Sequence, residues 1–217
     1  LMGRNGSGKT TLLRSIIGFH RPITGRIDVA GRDATRTDPA DLAAVVGYLP
    51  QRPASILFRE TVRDELTFTL KHHRGPGLDP DRLLADLDLA DLADRHPRDL
   101  SAGEQERVAL AAILVAAPRV LFLDEPTRGM DYLRKRALTD LLQRLRQQGT
   151  AILIATHDVE LVATLATRIV LLGDGEIVAD GPPREVLSGS LTFATQINKL
   201  YGDGFLTVDD VLLGITG

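Results

Sequence analysis

The stretch GRNGSGKT, Gly3 to Thr10, matches the pattern G-x-x-x-x-G-K-[ST] at every defined position. Glycines there let backbone N–H groups close around phosphate oxygens. Lys9 reaches toward the outer phosphates, and the Thr10 hydroxyl is suited to ligate Mg2+. A second candidate is the pair Asp124 and Glu125, which ends the apolar run VLFLDE. Asp124 suits an Mg2+ shell and Glu125 an attacking water. A strand that simply ends in solvated acids is the plain alternative, and a complete phosphate loop upstream disfavours it. A third stretch is LSAGEQERVAL, residues 100–110, where Ser101 stands three residues ahead of Glu104 before an apolar run. That is the spacing of a capping box. A helix start is also a ready anion site, so the same serine has two possible jobs.

Those residues need elements to hold them. From Lys9 to Ile17 the apolar positions repeat with helical period and Gly18 is a stop signal. TGRIDVAGRDA, 24–34, reads as short strands about a glycine turn, and VVGYLPQ as a strand leading into a loop at Pro50. Residues 53–99 change character: two helical stretches, TVRDELTFTL and DPDRLLADLDL, flank the loop HHRGPG. Then strands alternate with helices: a strand at 119–125, a helix at 132–148, a strand at 150–156, a helix from Asp158 to about Ala166. RIVLLGDGEIVAD reads as a hairpin about its Asp-Gly pair. Buried apolar strands alternating with helices indicate an α/β fold with a parallel sheet covered by helices. Ligands in such sheets sit at the carboxyl ends of strands, so loops 50–51, 124–131 and 156–158 are expected to converge.

Composition bounds the classes. With 217 residues, 43% hydrophobic and 25% charged, the chain suits one domain, or one core with a smaller lobe. A net charge of −3 without runs of like charge gives no support to a nucleic-acid partner, which needs clustered Lys and Arg. Cysteine is absent, which excludes a disulfide scaffold. No apolar run approaches the roughly 20 residues of a membrane span; VALAAILVAA, the longest candidate, ends at Pro118. Work at a membrane would pass through a partner. The chain opens LMGRNGSGKTT with no strand ahead of the glycine loop, so such a strand is expected upstream of Leu1.

A phosphate loop, a helical insert, LSAGEQ, LFLDEP and a strand ending in ATHD follow in an order that resembles the ATPase subunit of ATP-binding-cassette (ABC) systems, over nearly the whole chain. The resemblance implies a phosphate-loop NTPase core at 1–52 and 119–217, with an inserted helical subdomain at 53–118. It implies ATP and Mg2+ as ligands. Nucleotide contacts would come from Gly3, Arg4, Asn5, Gly6, Ser7, Gly8, Lys9, Thr10, Thr11 and Gln51. Metal ligation would fall to Thr10, Gln51 and Asp124, and catalysis to Glu125, His157 and Lys9. The signature stretch Ser101, Ala102, Gly103 and Glu104 would serve nucleotide held by a second, head-to-tail cassette. Asp131 in RGMD would cross that dimer interface. The family's adenine-stacking aromatic lies upstream of the phosphate loop and is expected before Leu1.

Two positions depart from the family pattern. Ala102 replaces a glycine, a mild change unless φ > 0 is needed. Glu104 replaces a glutamine, and a carboxylate aimed at a γ-phosphate would be repelled, which assigns Glu104 to the helix cap. Within the family, QRPASILFRETVRDELTF at 51–68 is most similar to ATPases of energy-coupling-factor importers of vitamins and metal ions. The tail FLTVDDVLL is similar to the second cassette of a fused two-cassette ATPase. The implied partner is a transmembrane transporter subunit, and the implied place the cytoplasmic face of the cell membrane. Two rival classes are a soluble ABC ATPase without transport and a catalytically silent regulatory cassette. Retention of Lys9, Glu125 and His157 speaks against the latter.

Overall fold

The computed structural model describes residues 1–73, 75–188, 193–202 and 204–216, the side chains of 214–216 excepted. In chain order the strands are β1 (Met2–Gly3), β2 (Asp28–Val29), β3 (Arg32–Asp33), β4 (Val46–Leu49), β5 (Val120–Asp124), β6 (Ala151–Ala155), β7 (Ile169–Gly173) and β8 (Glu176–Gly181). The chain forms two compact units. The first comprises Leu1–Thr10, Thr127–Gln148 and Ala155–Gly217; the second comprises Thr11–Pro126 and Gly149–Ile154. The segment 53–118 falls wholly inside the second.

The second unit is built on the sheet β4-β5-β6. β4 and β5 run parallel, with Val46 opposite Val120 and Leu49 opposite Leu123. β5 is buried from Leu121 to Asp124, as a strand covered on both faces must be. The helix Ala102–Leu114 lies directly on β4. A Cβ on Gly47 would stand 2.4 Å from Ile113 Cγ2, so only glycine permits this approach. The same helix buries Val108, Ala109 and Ala111. One packed layer therefore positions both the helix start at Ser101 and the strand that ends before Gln51. Helices Val62–His72 and Pro80–Asp86 precede it, started by the caps Thr61 and Asp79 with Pro80 at the first helical position. Arg74, in the loop between them, lies outside the described residues.

In the first unit β1 pairs parallel with β7, and β7 pairs antiparallel with β8. Here the structure departs from the sequence reading, which leaves no strand ahead of the glycine loop. Met2 and Gly3 pair with Leu171 and Leu172. The reason is burial: Met2 is fully buried in a core with Val162, Ile169, Leu187 and Leu206. An apolar side chain held that way fixes two residues that local propensity would leave as coil. The β7–β8 turn is as expected, with Asp174 and Gly175 both at positive φ (50° and 86°). Helices Tyr132–Gln147 and Val159–Leu165 are started by Asp131 and Asp158, whose carboxylates accept from Arg134 and Leu161 N–H.

Candidate phosphate-binding and catalytic site

The phosphate loop lies in the first unit. Gly3, at φ 153°, touches its surroundings so closely that a Cβ would stand 2.4 Å from the Leu172 carbonyl oxygen and 2.5 Å from Ser7 Oγ. Gly6 and Gly8 also take positive φ. The buried Lys9 folds back on the loop, donating to the carbonyls of Gly3 at 2.9 Å and Arg4 at 3.2 Å. Ser7 Oγ is buried with no hydrogen-bond partner. A buried hydroxyl of that kind costs free energy unless something bonds it. The helix Lys9–Ile16 that follows has no acidic side chain in its first turn. An orphaned donor, an ammonium and a helix start on one loop fit a phosphate chain.

The acid pair lies in the second unit. Asp124 is 2% exposed and Glu125 8%. Glu125 stands at φ 54°, a left-handed conformation that a non-glycine residue holds only when its surroundings enforce it. Sequence reading missed what sits beside Asp124. The Tyr48 phenol is hydrogen-bonded with both Arg14 and Asp124; burial first, then the Asp124 charge, push it above its ordinary range. Strand parity could have found it. Tyr48 is opposite Phe122, and Phe122 and Asp124 share a face of β5. Gln51 is exposed, just beyond β4. The segment after it is fastened by the buried Glu65, whose Oε1 accepts from the N–H groups of Phe58 and Arg59, the latter at 2.6 Å. Arg59 lies 3.5 Å from the Phe68 ring centroid, and Phe58 remains 60% exposed.

The helix start at Ser101 is a complete capping box. Ser101 N donates to Glu104 Oε2 at 2.8 Å, Ser101 Oγ donates to the same oxygen at 2.6 Å, and Glu104 N donates to Ser101 Oγ at 3.4 Å. These bonds, the hydroxyl's first, hold the Glu104 carboxyl below its usual range. Ala102 sits inside the helix, and its φ is not positive, so the loss of glycine there carries no backbone strain.

The remaining predicted residues lie in the first unit. Asp131 caps its helix at 2.9 Å from Arg134 N, and Tyr132 and Leu133 beside it are each 74% exposed. His157 is exposed at the end of the segment that follows β6. Of the loops 50–51, 124–131 and 156–158 expected to converge, one bond joins parts of two: Thr127 Oγ1 donates to Asp158 Oδ2 at 2.9 Å. Sequence reading singles out none of Thr127, Asp158 and Lys135, whose ammonium also donates to Asp158 Oδ2. Among the described residues no group of three His, Cys, Asp or Glu could hold a metal by itself.

The fold and these residues define an α/β phosphate-loop protein of the ATP-binding-cassette type. The family description "ABC transporter" matches residues 1–128, more than half of the chain. A protein of Streptomyces avermitilis described as an ABC transporter ATP-binding protein is 46% identical over 97% of this chain. The chain therefore belongs to the ABC transporter family. It spans 38% of the length of that relative and of a similar one from Streptomyces coelicolor. Among solved structures, cbiO1 of Clostridium perfringens, part of the ABC transporter complex cbiONQ, aligns with TM-score 0.74 and 29% identity over 87% of this chain and 79% of its own. The ATP-binding cassette MJ0796, solved as a dimer bound to ADP and Pi, aligns with TM-score 0.73 and 25% identity over 84% of this chain and 83% of its own.

Proposed function

We propose that this cassette binds and hydrolyses ATP and that, paired with a second cassette, it drives import of a small solute, a vitamin or metal ion, through a transmembrane partner. The observation that carries the reading is the Asp124–Glu125 pair, buried at the end of β5 with Glu125 held at φ 54°. Backbone strain kept at a buried acid marks a residue whose orientation matters more than its comfort. The phosphate-loop backbone, Lys9 and the Ser7 hydroxyl bind the phosphate chain, with Thr11 just inside the helix. Glu125 accepts the proton of the attacking water, and His157 orients the γ-phosphate. Thr10, Asp124 and Gln51 would hold Mg2+, which supplies charge neutralisation on the phosphates. A metal shared between three protein groups and the substrate phosphates needs no closed protein cage. Tyr48 and Arg14 keep the Asp124 carboxylate oriented.

Support for a second cassette comes from Asp131 with the exposed Tyr132 and Leu133, and from the likeness to a dimeric cassette. Ser101 and Gly103 would face the partner's nucleotide. Support for a membrane partner at the cytoplasmic face comes from the exposed Phe58, held by Glu65 and Arg59 just after Gln51, and from the likeness to cbiO1. Among the described residues no helix is long and apolar enough to cross a membrane.

Glu125→Gln should leave ATP binding intact and slow turnover by at least about a hundredfold, a general-base effect. Turnover near the wild-type rate would remove Glu125 from the mechanism. The direction of transport is tested by co-purifying the full-length protein with its membrane partner into liposomes. ATP supplied on the cassette side should move labelled vitamins or metal ions away from that side's opposite face, toward the cassettes. Movement the other way would overturn import.

A further inference from the structure

Asp158 directly follows His157 and does more than start a helix. Its side chain is only 11% exposed. One oxygen, Oδ1, accepts from Leu161 N at 3.2 Å and caps Val159–Leu165. The other, Oδ2, accepts from Thr127 Oγ1 at 2.9 Å and from Lys135 Nζ at 2.5 Å. Its own N–H donates to Thr156 Oγ1 at 3.0 Å. Thr127, 5% exposed, begins the segment that leads to Asp131. Lys135 lies in the first turn of the helix that Asp131 caps, its N–H donating to the Asp131 carbonyl at 3.0 Å. A helix cap needs one oxygen. Here the second is committed to two groups from the Asp131 side. Burial alone would raise the Asp158 pKa, but the hydrogen bonds from Lys135, Leu161 and Thr127 outweigh it and hold the carboxyl below its ordinary range. The carboxylate is therefore ionised at neutral pH, as a bond to an ammonium requires.

We propose that Asp158, Lys135 and Thr127 form a positioning unit that locks the segment carrying Asp131 to the segment carrying His157, so that the orientation of His157 depends on that of the Asp131 segment. None of the three touches nucleotide in this scheme; they act through His157. The inference rests on the roles proposed above for His157 and Asp131.

The test uses the full-length protein with its partner. Lys135→Met and the near-isosteric Thr127→Val should each lower kcat by about tenfold, since misplacing a catalytic group by an ångström is worth up to about a hundredfold. The Kd for a fluorescent ATP analogue should stay within about twofold. Lys135→Arg should restore most of the rate. In single-turnover assays Lys135→Met should add nothing once His157 is already Ala. A parallel loss of Kd and kcat without rescue by Lys135→Arg would mean a merely structural role and overturn the proposal. So would wild-type kcat in Lys135→Met and Thr127→Val while His157→Ala is impaired, and in that case the site reading stands. Wild-type turnover in His157→Ala would overturn the site reading and the proposal together.

Discussion

The helix that begins at Lys9 and the helix that begins at Ala102 each have N–H groups and a positive dipole end suited to an anion, yet they start in opposite ways. Ahead of the first stands Gly8, with no side chain to cap with; its first turn holds no acid and does hold Lys9. Ahead of the second stands Ser101, bonded twice to the Glu104 carboxylate of the same helix. The first start carries no acid of its own, which suits the phosphate proposed for it. The second already carries its own anion. Under the function proposed above, the first start serves its own chain's nucleotide, and the loop's own carbonyls hold Lys9 meanwhile. Under the same proposal the second start waits for a second copy, and its internal carboxylate would satisfy it meanwhile at the cost of repelling the phosphate it later meets.

The comparison breaks most severely if the two starts do not serve one composite site. Lys9→Ala and Ser101→Arg should each lower turnover by at least about a hundredfold, as loss of a transition-state electrostatic contact does. Mixed, they should regain one working site per heterodimer, since one copy then supplies Ser101 and the other Lys9. ATPase assays on demonstrated heterodimers decide this. Mixtures no better than either variant would mean that each start acts within its own chain.

A smaller effect tests the open start. Gly3→Ala would place a methyl group 2.4 Å from the Leu172 carbonyl. Overpacking of this kind costs about 1–3 kcal/mol, equivalent to roughly a 5- to 150-fold weaker ATP Kd if the loop must shift. Titration with a fluorescent ATP analogue reads it directly. Unchanged affinity would show that the loop tolerates a wider geometry than the one seen.

Much of this was legible in sequence because it is local. The phosphate loop, the Ser101–Glu104 box and the Asp174–Gly175 turn are each written within a few residues, and backbone chemistry alone dictates them. Glu104's role in the cap followed from charge repulsion and matches the bonds it makes. The pairing of Met2 with β7 was not legible, because it depends on a core assembled from residues 162 to 206. Tyr48 beside Asp124 and Lys135 beside Asp158 were missed for the same reason. Their partners lie 76 and 23 residues away, and period or propensity carries no such information.

The smallest effect sharpens the comparison from the closed side. Glu104→Gln keeps the capping pattern, since glutamine also serves there, but removes the charge. Without that charge the partner's phosphate is no longer repelled, and turnover at low ATP should rise about threefold at low salt, with the gain fading as salt screens it. Stability should move the other way, and its pH dependence has a definite sign. Hydrogen bonds from Ser101 hold the Glu104 carboxyl below its ordinary value of 4.5, so the folded state favours the ionised form. The stabilisation is present above that value and is lost as pH falls through the lower, folded-state value. Wild type should therefore melt slightly above Glu104→Gln at pH 7, and the two melting curves should converge as pH drops from about 5 to about 3. A difference in Tm that stays constant over that range would mean that the carboxylate's charge contributes nothing to the cap, and the contrast between an open and a self-satisfied helix start would lose its physical basis.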